Sequence, residues 1–392
     1  KIINFFNNKL INLFILFWLY IVCVSLFAIE PLISIKSSFF YLRFGIYTLA
    51  IVYLLSLNKD CIDILYTITK YTILFVVLDS LLQIISGKDI FGLEPNSIDL
   101  MRVSGPFGDK FILGSFLQKI LPIFIFFILK KYYLSKKIKI LDIAIIIFSF
   151  AIIYRSGDRS ALGLIILFSA IFFIINSELR KKMLTILIFF LVISTIFTLH
   201  NPKIFQRNFI DTMGQFKGKY YESFLKKEFN ETNFNFMIFS FHHQTHYTTA
   251  MRMFYDKPIY GHGVKMFRYK CKDFEFKPSA EIKNSFGQSK FRYGCSTHPH
   301  NTYVQLLAET GLIGFLFVFG AFLYISFEIV KYINKAKKKY YPESALLIAI
   351  FVNLWPIIPT GNFFNNWLSI IYLIPITYYL FEKKYVTKDT IA

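Results

Sequence analysis

Apolar residues in this chain fall into long unbroken runs rather than into alternating or three-four patterns. Ten runs, 10–28, 38–57, 62–85, 111–130, 138–154, 160–176, 183–199, 312–330, 343–359 and 367–382, carry almost no charge. A helix needs about 20 apolar residues to cross the hydrocarbon core, so the runs predict transmembrane helices, the shorter ones tilted, merged or re-entrant. The pattern predicts an all-α polytopic membrane protein with about ten transmembrane helices and one large extramembrane loop. It divides the chain into N-terminal helices over 1–199, the loop over 200–301 and C-terminal helices over 302–392. The first run has no small-residue cleavage site and reads as a retained span. Within the loop, 234–256 looks helical and partly amphipathic, while Pro278, Gly287 and Gly294 punctuate the stretch after it.

Composition agrees: 55% of residues are hydrophobic and 48 are Phe. The net charge of +20 would suggest nucleic acid in a soluble protein. Here its distribution reads as topology. Lys130, Lys131, Lys136, Lys137 and Lys139 share one inter-span loop, and Arg180, Lys181 and Lys182 share another. Lys331, Lys335, Lys337, Lys338 and Lys339 share a third, and Lys383, Lys384 and Lys388 lie near the C-terminus. The alternation puts both termini in the cytoplasm and 86–110, 155–159, 200–301 and 360–366 outside. Cys271 and Cys295 share the outer loop, where a disulfide is permitted and two free thiols are the alternative. Cys23 lies in a span and Cys61 at a cytoplasmic edge. Lys70 and Asp79 sit inside one apolar run and are candidates for a buried pair.

The densest chemistry lies at 298–314, HPHNTYVQLLAETGLIG. Thr302 and Gln305 have capping-box spacing and Gly311 offers a stop, so a helix is predicted between them. An imidazole at such an N-terminus is held neutral by the helix dipole, as a general base requires. His300 is the first candidate. His298, two residues away in an extended segment, would point to the other side. Glu309 is an alternative base or an orienting group. Arg155, Asp158 and Arg159 occupy a short turn between spans; charge at such depth faces a cavity or partner, or pairs at the interface. Arg252 precedes a Pro258 break and a Gly261-His262-Gly263 turn whose backbone N–H groups could approach an anion; a plain turn accounts for it equally. Guanidinium suits bidentate phosphate contact, and Arg102 is a further phosphate candidate. His242 and His246 have the i, i+4 spacing of zinc ligands, but His243 stands where the Glu of HExxH belongs and no third ligand has a fixed spacing.

These motifs, in this order, resemble the O-antigen ligase family, which includes O-antigen and capsule polymerases. His300-Asn301 followed by Gly311-Leu-Ile-Gly314 is similar to its His-Asn…Gly-x-x-Gly pattern. Arg159-Ser-Ala-Leu resembles its arginine turn, Arg252 with Gly261-His-Gly263 its periplasmic Arg-helix and Gly-x-Gly segment, and Arg102-Val-Ser-Gly-Pro-Phe its earlier outer loop. The ten spans are fewer than members of that family usually have. The resemblance implies a GT-C-like, inverting, metal-independent glycosyltransferase with no cofactor, in the bacterial inner membrane with its active site on the periplasmic side. It would move a glycan from undecaprenyl diphosphate to a hydroxyl of lipid A–core or, in a polymerase, of a growing glycan. It implies catalytic roles for His300, Arg252 and Arg159, with Arg155, Asn301, Arg102, His298, Gly261 and Gly263 binding substrate. Its partners are the lipid-linked donor, the acceptor and the phospholipid membrane, with no nucleic acid. A transporter of lipid-linked solutes would predict repeat symmetry and broken midplane helices, neither visible in the sequence; an assembly scaffold would be indifferent to these side chains.

Overall fold

The computed structural model describes residues 9–58, 61–95, 102–135, 137–216, 220–222, 227–229, 241–276, 280–283, 289–292, 294–335 and 341–383. Of the positions read from the sequence, 234–240 of the amphipathic stretch, Lys136, Pro278, Gly287, Lys337, Lys338, Lys339, Lys384 and Lys388 lie outside the described residues, as do the side chains of His242 and Lys335.

The helices are α1 Lys9–Ser25, α2 Pro31–Phe39, α3 Leu42–Leu57, α4 Cys61–Ser86, α5 Leu113–Ser135, α6 Ile140–Arg155, α7 Arg159–Ile175 and α8 Arg180–His200. Then come α9 Lys203–Phe205, α10 Asp211–Phe216, α11 Phe241–Asp256, α12 Phe267–Lys270, α13 Thr302–Lys335, α14 Ser344–Asn353 and α15 Asn366–Phe381. Two antiparallel hairpins, β1 Tyr220–Glu222 with β2 Lys227–Phe229 and β3 Ala280–Lys283 with β4 Ser289–Arg292, add strand that the all-α expectation lacked. Among the described residues, five helical stretches are long and apolar enough to cross a membrane: 31–57, 61–86, 113–132, 177–200 and 302–334. The run at 343–359 is helical only as far as Asn353. Pro356 and Pro359 withhold backbone donors beyond it.

The chain divides into two compact units that interleave along it. One unit comprises 52–212, 325–353 and 375–392. Its centre is α14, all ten of whose residues are buried, beside α5 and α7. A helix apolar all round has no polar face to give to water. Phe124, Phe126, Phe127 and Phe168 fill the surrounding core. The unit also buries an ion pair: Lys70 Nζ lies 2.8 Å from Asp142 Oδ1, and Tyr66 donates to Asp142 Oδ2 at 2.7 Å. Lys70 therefore pairs with α6 and not with Asp79. Nine residues make two and a half turns, which puts Lys70 and Asp79 on opposite faces of α4, about 13 Å apart along the axis. Asp79 instead accepts the Ile90 N–H at 2.7 Å.

The other unit comprises 1–51, 213–324 and 354–374. Tyr41 sits among Phe14, Phe17, Phe44, Phe363 and Phe364, which joins α1, α3 and the segment before α15. The loop region has its own small core of Ala250, Met253, Phe267, Cys271 and Phe276 packed on Ala308 of α13. The Cys271–Cys295 disulfide, Cα–Cα 5.2 Å, closes it.

Candidate functional site

In the first unit the sequence Arg155-Ser-Gly-Asp-Arg159 makes a tight turn between α6 and α7. Gly157 has φ +65°, and Asp158 caps α7 by accepting the Ala161 N–H at 3.1 Å, its other oxygen held by Ser115 Oγ at 2.6 Å. Two arginines clamp this turn through its carbonyls. Arg102 Nε donates to Ser156 O at 3.0 Å, and Arg207 Nε donates to Gly157 O at 3.0 Å. A Cβ on Gly157 would meet Arg207 Cδ at 3.0 Å and Arg102 Cγ at 3.3 Å. Arg159 Nη1 reaches Thr212 Oγ1 at 3.5 Å, and Arg155 is buried at the end of α6. Burial pushes the Asp211 carboxyl up, against the pull of Arg159 and then Arg207. Around this turn the structure collects Arg102, Arg155, Arg159 and Arg207 against Asp158 and Asp211, an excess of cation suited to an anionic ligand. Arg207 is absent from the expectations drawn from the sequence. It is the first arginine of a long basic loop, and nothing in its neighbours separates it from the rest.

In the second unit His300 lies among three other imidazoles. Ring centroids are 4.1 Å away for His298, 5.4 Å for His246 and 5.6 Å for His243. His243 and His246 share a face of α11 at i, i+3 spacing. The expectation that an extended segment would part His298 from His300 is corrected, since positions i and i+2 of such a segment share a face. His300 itself is left-handed, with φ +58°. The strain is fixed by its neighbours: His300 O accepts the Thr360 N–H at 2.8 Å. Burial first, then His300 and His246, pushes the His298 imidazole down to about 3. Burial, then His246, pushes His300 down to about 4. Both are neutral at pH 7, with burial rather than a helix dipole as the leading cause. Among the described residues, no three His, Cys, Asp or Glu side chains form a group that could hold a metal ion.

The N-cap of α13 is Asn301, in place of the expected Thr302–Gln305 box. Its Oδ1 accepts from the Tyr303 and Val304 N–H groups at 2.9 and 3.0 Å, and its Nδ2 donates to Pro356 O at 2.7 Å. Asn301 thus fixes the backbone next to His300. Thr302 turns to Thr360 at 2.9 Å. Gln305 donates to Glu309 Oε2 and Asn362 Oδ1, each at 2.9 Å. Glu309 is fully buried, and its Oε1 accepts the Phe267 N–H at 3.0 Å. Its oxygens are engaged in holding the loop, which leaves it poorly placed as a base.

Gly311, at φ +64° and ψ −169°, interrupts α13. Against this break lies the Gly261-His262-Gly263 turn. His262 N donates to Ala308 O at 3.1 Å, Gly263 N to Glu309 O at 2.8 Å, and Leu312 N to Pro258 O at 2.8 Å. With Gly261 N bonded to Lys257 O at 3.0 Å, all three amides of the turn meet protein carbonyls. The close approach that glycine permits is used here to dock one backbone on another. Buried His262 seals the turn, its Nε2 3.0 Å from Met253 O. Arg252 stands on α11 as an exposed side chain.

A multi-pass, helical membrane protein is the class this architecture defines. Residues 144–319, from α6 through the arginine turn, the glycine turn and the His-Asn cap, match the family model described as O-Antigen ligase. Over those residues the chain is similar to the O-antigen ligase family. No curated protein matched the chain.

Proposed function

We propose that this protein is an O-antigen ligase: an inverting, metal-independent glycosyltransferase of the bacterial inner membrane. It takes a glycan from undecaprenyl diphosphate and joins it to a hydroxyl of lipid A–core on the periplasmic side. The observation that carries this reading is the imidazole cluster centred on His300, within a family match that spans it. A lipid diphosphate is already a good leaving group, so the chemistry asks for charge neutralisation and orientation more than for strong base catalysis. Arg159 is assigned to the diphosphate, supported in its unit by Arg155, Arg102 and Arg207. His300 is assigned to the acceptor hydroxyl. With its basicity pushed down to about 4, it accepts a hydrogen bond from that hydroxyl and aligns it more effectively than it removes the proton outright.

The test is purified protein in detergent with undecaprenyl-diphosphate-linked glycan, EDTA, and either lipid A–core or free glycan as acceptor, comparing wild type with His300→Ala. Transfer to lipid A–core by wild type and its near loss in the variant are expected. Transfer only onto glycan makes the enzyme a polymerase. Wild-type rates in His300→Ala remove His300 from the mechanism, and a folded wild type that transfers to neither acceptor refutes the transferase reading.

A further inference from the structure

The loop after the glycine turn holds charge that neither the arginine turn nor the histidine cluster uses. Lys265 adopts φ +62°, a conformation a lysine rarely takes. Arg268 comes three residues later on α12. Both are half-buried. Arg268 is close enough to act electrostatically on both His298 and Glu309, and Lys265 is close enough to feel Arg268, Glu309 and Arg43. Burial, then Arg268, holds the Lys265 ammonium below its ordinary value.

One carboxylate, Glu309, offsets these three cations in part. Its oxygens are turned to the Phe267 N–H and to Gln305. Among the described residues neither Lys265 nor Arg268 has a side-chain hydrogen bond or ion pair, and the Nε of Arg268 is buried without an acceptor. Arg43 at the edge is held by Asn366 and lies 4.9 Å over the Phe44 ring. Clustered cations cost free energy through mutual repulsion, and a buried guanidinium N–H without an acceptor adds to that cost. An arrangement of this kind is relieved by an anion.

We infer that Lys265 and Arg268, rimmed by Arg43, form an anion site that takes a phosphate or carboxylate carried by the molecule bound at the histidine cluster. Arg268 stands three residues before Cys271, whose disulfide to Cys295 ties α12 to the segment that carries His298, and this link carries the assignment. On the reading of that cluster as the acceptor site, the acceptor presents an acidic group beside its reactive hydroxyl.

The test reads binding rather than turnover, so its failure leaves the transferase reading standing. Full-length protein with ¹³C-labelled histidine is titrated with inorganic phosphate and, separately, with glucuronate. The His298 ring resonance, assigned through its loss in His298→Gln, reports the neighbouring site and not the arginine turn. Saturable shifts are expected in wild type, with phosphate or glucuronate preferred according to which acid the ligand carries. Lys265→Gln with Arg268→Gln weakens the affinity by about a hundredfold, at about tenfold for each charged partner lost. Lys265→Arg, which keeps the charge, retains it. Removing two cations that are offset only in part leaves thermal stability unchanged or raised, which checks folding. Equal affinity in the double variant, or no shift in wild type with either anion, overturns the site.

Discussion

Gly311→Ala isolates the docking of the glycine turn on α13. An alanine there would hold φ +64° and ψ −169°, a region essentially closed to residues with a Cβ and costing about 1–3 kcal/mol. Its Cβ would lie 2.3 Å from Ile259 O and 2.5 Å from Tyr260 N. Both are backbone atoms, so no side chain can swing aside, and the two segments must separate. Separation breaks the Leu312–Pro258 and Ile313–Ile259 bonds, each worth about 0.5–1.5 kcal/mol net. The sum is about 2–6 kcal/mol. At about 1.4 kcal/mol per decade, local opening becomes about 30-fold to 10⁴-fold more frequent. Amide hydrogen exchange in detergent, read on peptides spanning 258–263 and 308–314, measures that opening directly. Gly320→Ala in the same helix is the control: nothing lies within 4 Å of its Cβ position, and it should be neutral or slightly stabilising. Unchanged exchange over both peptides in Gly311→Ala would refute the idea that the glycine is there for backbone docking.

The same geometry fixes three further outcomes. His298 and His300 are depressed to about 3 and 4 from an unfolded value near 6.5. The unfolded chain therefore binds protons first. Their stabilisation is complete above about pH 6.5 and drains as pH falls towards 4 and 3; an acid limb of activity or stability centred on 6.5, lost in His300→Ala, would contradict this. Lys70→Met leaves Asp142 buried without its cation and should cost about 3–5 kcal/mol, while Lys70→Met with Asp142→Leu recovers most of it; thermal unfolding of the two variants decides, and equal losses would sink the pairing. Cys295→Ser releases a 24-residue loop and should cost the loop region about 3 kcal/mol, seen as faster proteolysis near 267–300; a cleavage rate equal to wild type would be the contrary result.

The apolar runs gave away the helices because hydrocarbon leaves the backbone few alternatives, and the order of the motifs pointed to the family whose model matches 144–319. Pairings at a distance were hidden. Composition pointed Lys70 at Asp79, but helical phase turns them apart, and the partner came from α6. The expected separation of His298 from His300 misjudged the alternation, because positions i and i+2 of an extended segment share a face; the left-handed turn at His300 depends on Thr360, sixty residues downstream. The cap fell one residue earlier than the box predicted, since Asn301 could reach two amides and the Pro356 carbonyl as well. The glycine turn suggested an anion cradle because its residue types permit close approach, and sequence does not say what approaches.

The clamping of the Gly157 turn by Arg102 and Arg207 bears on how an anion would be met there. A free arginine side chain has about 2 kcal/mol of rotamer entropy to lose. Here both guanidiniums are already pinned through Nε to backbone carbonyls. Their freedom is lost when the chain folds, so an arriving anion orders little that is not already ordered. Recognition at this turn should therefore carry a small conformational penalty, and shortening either arginine should slow capture less than it hastens escape.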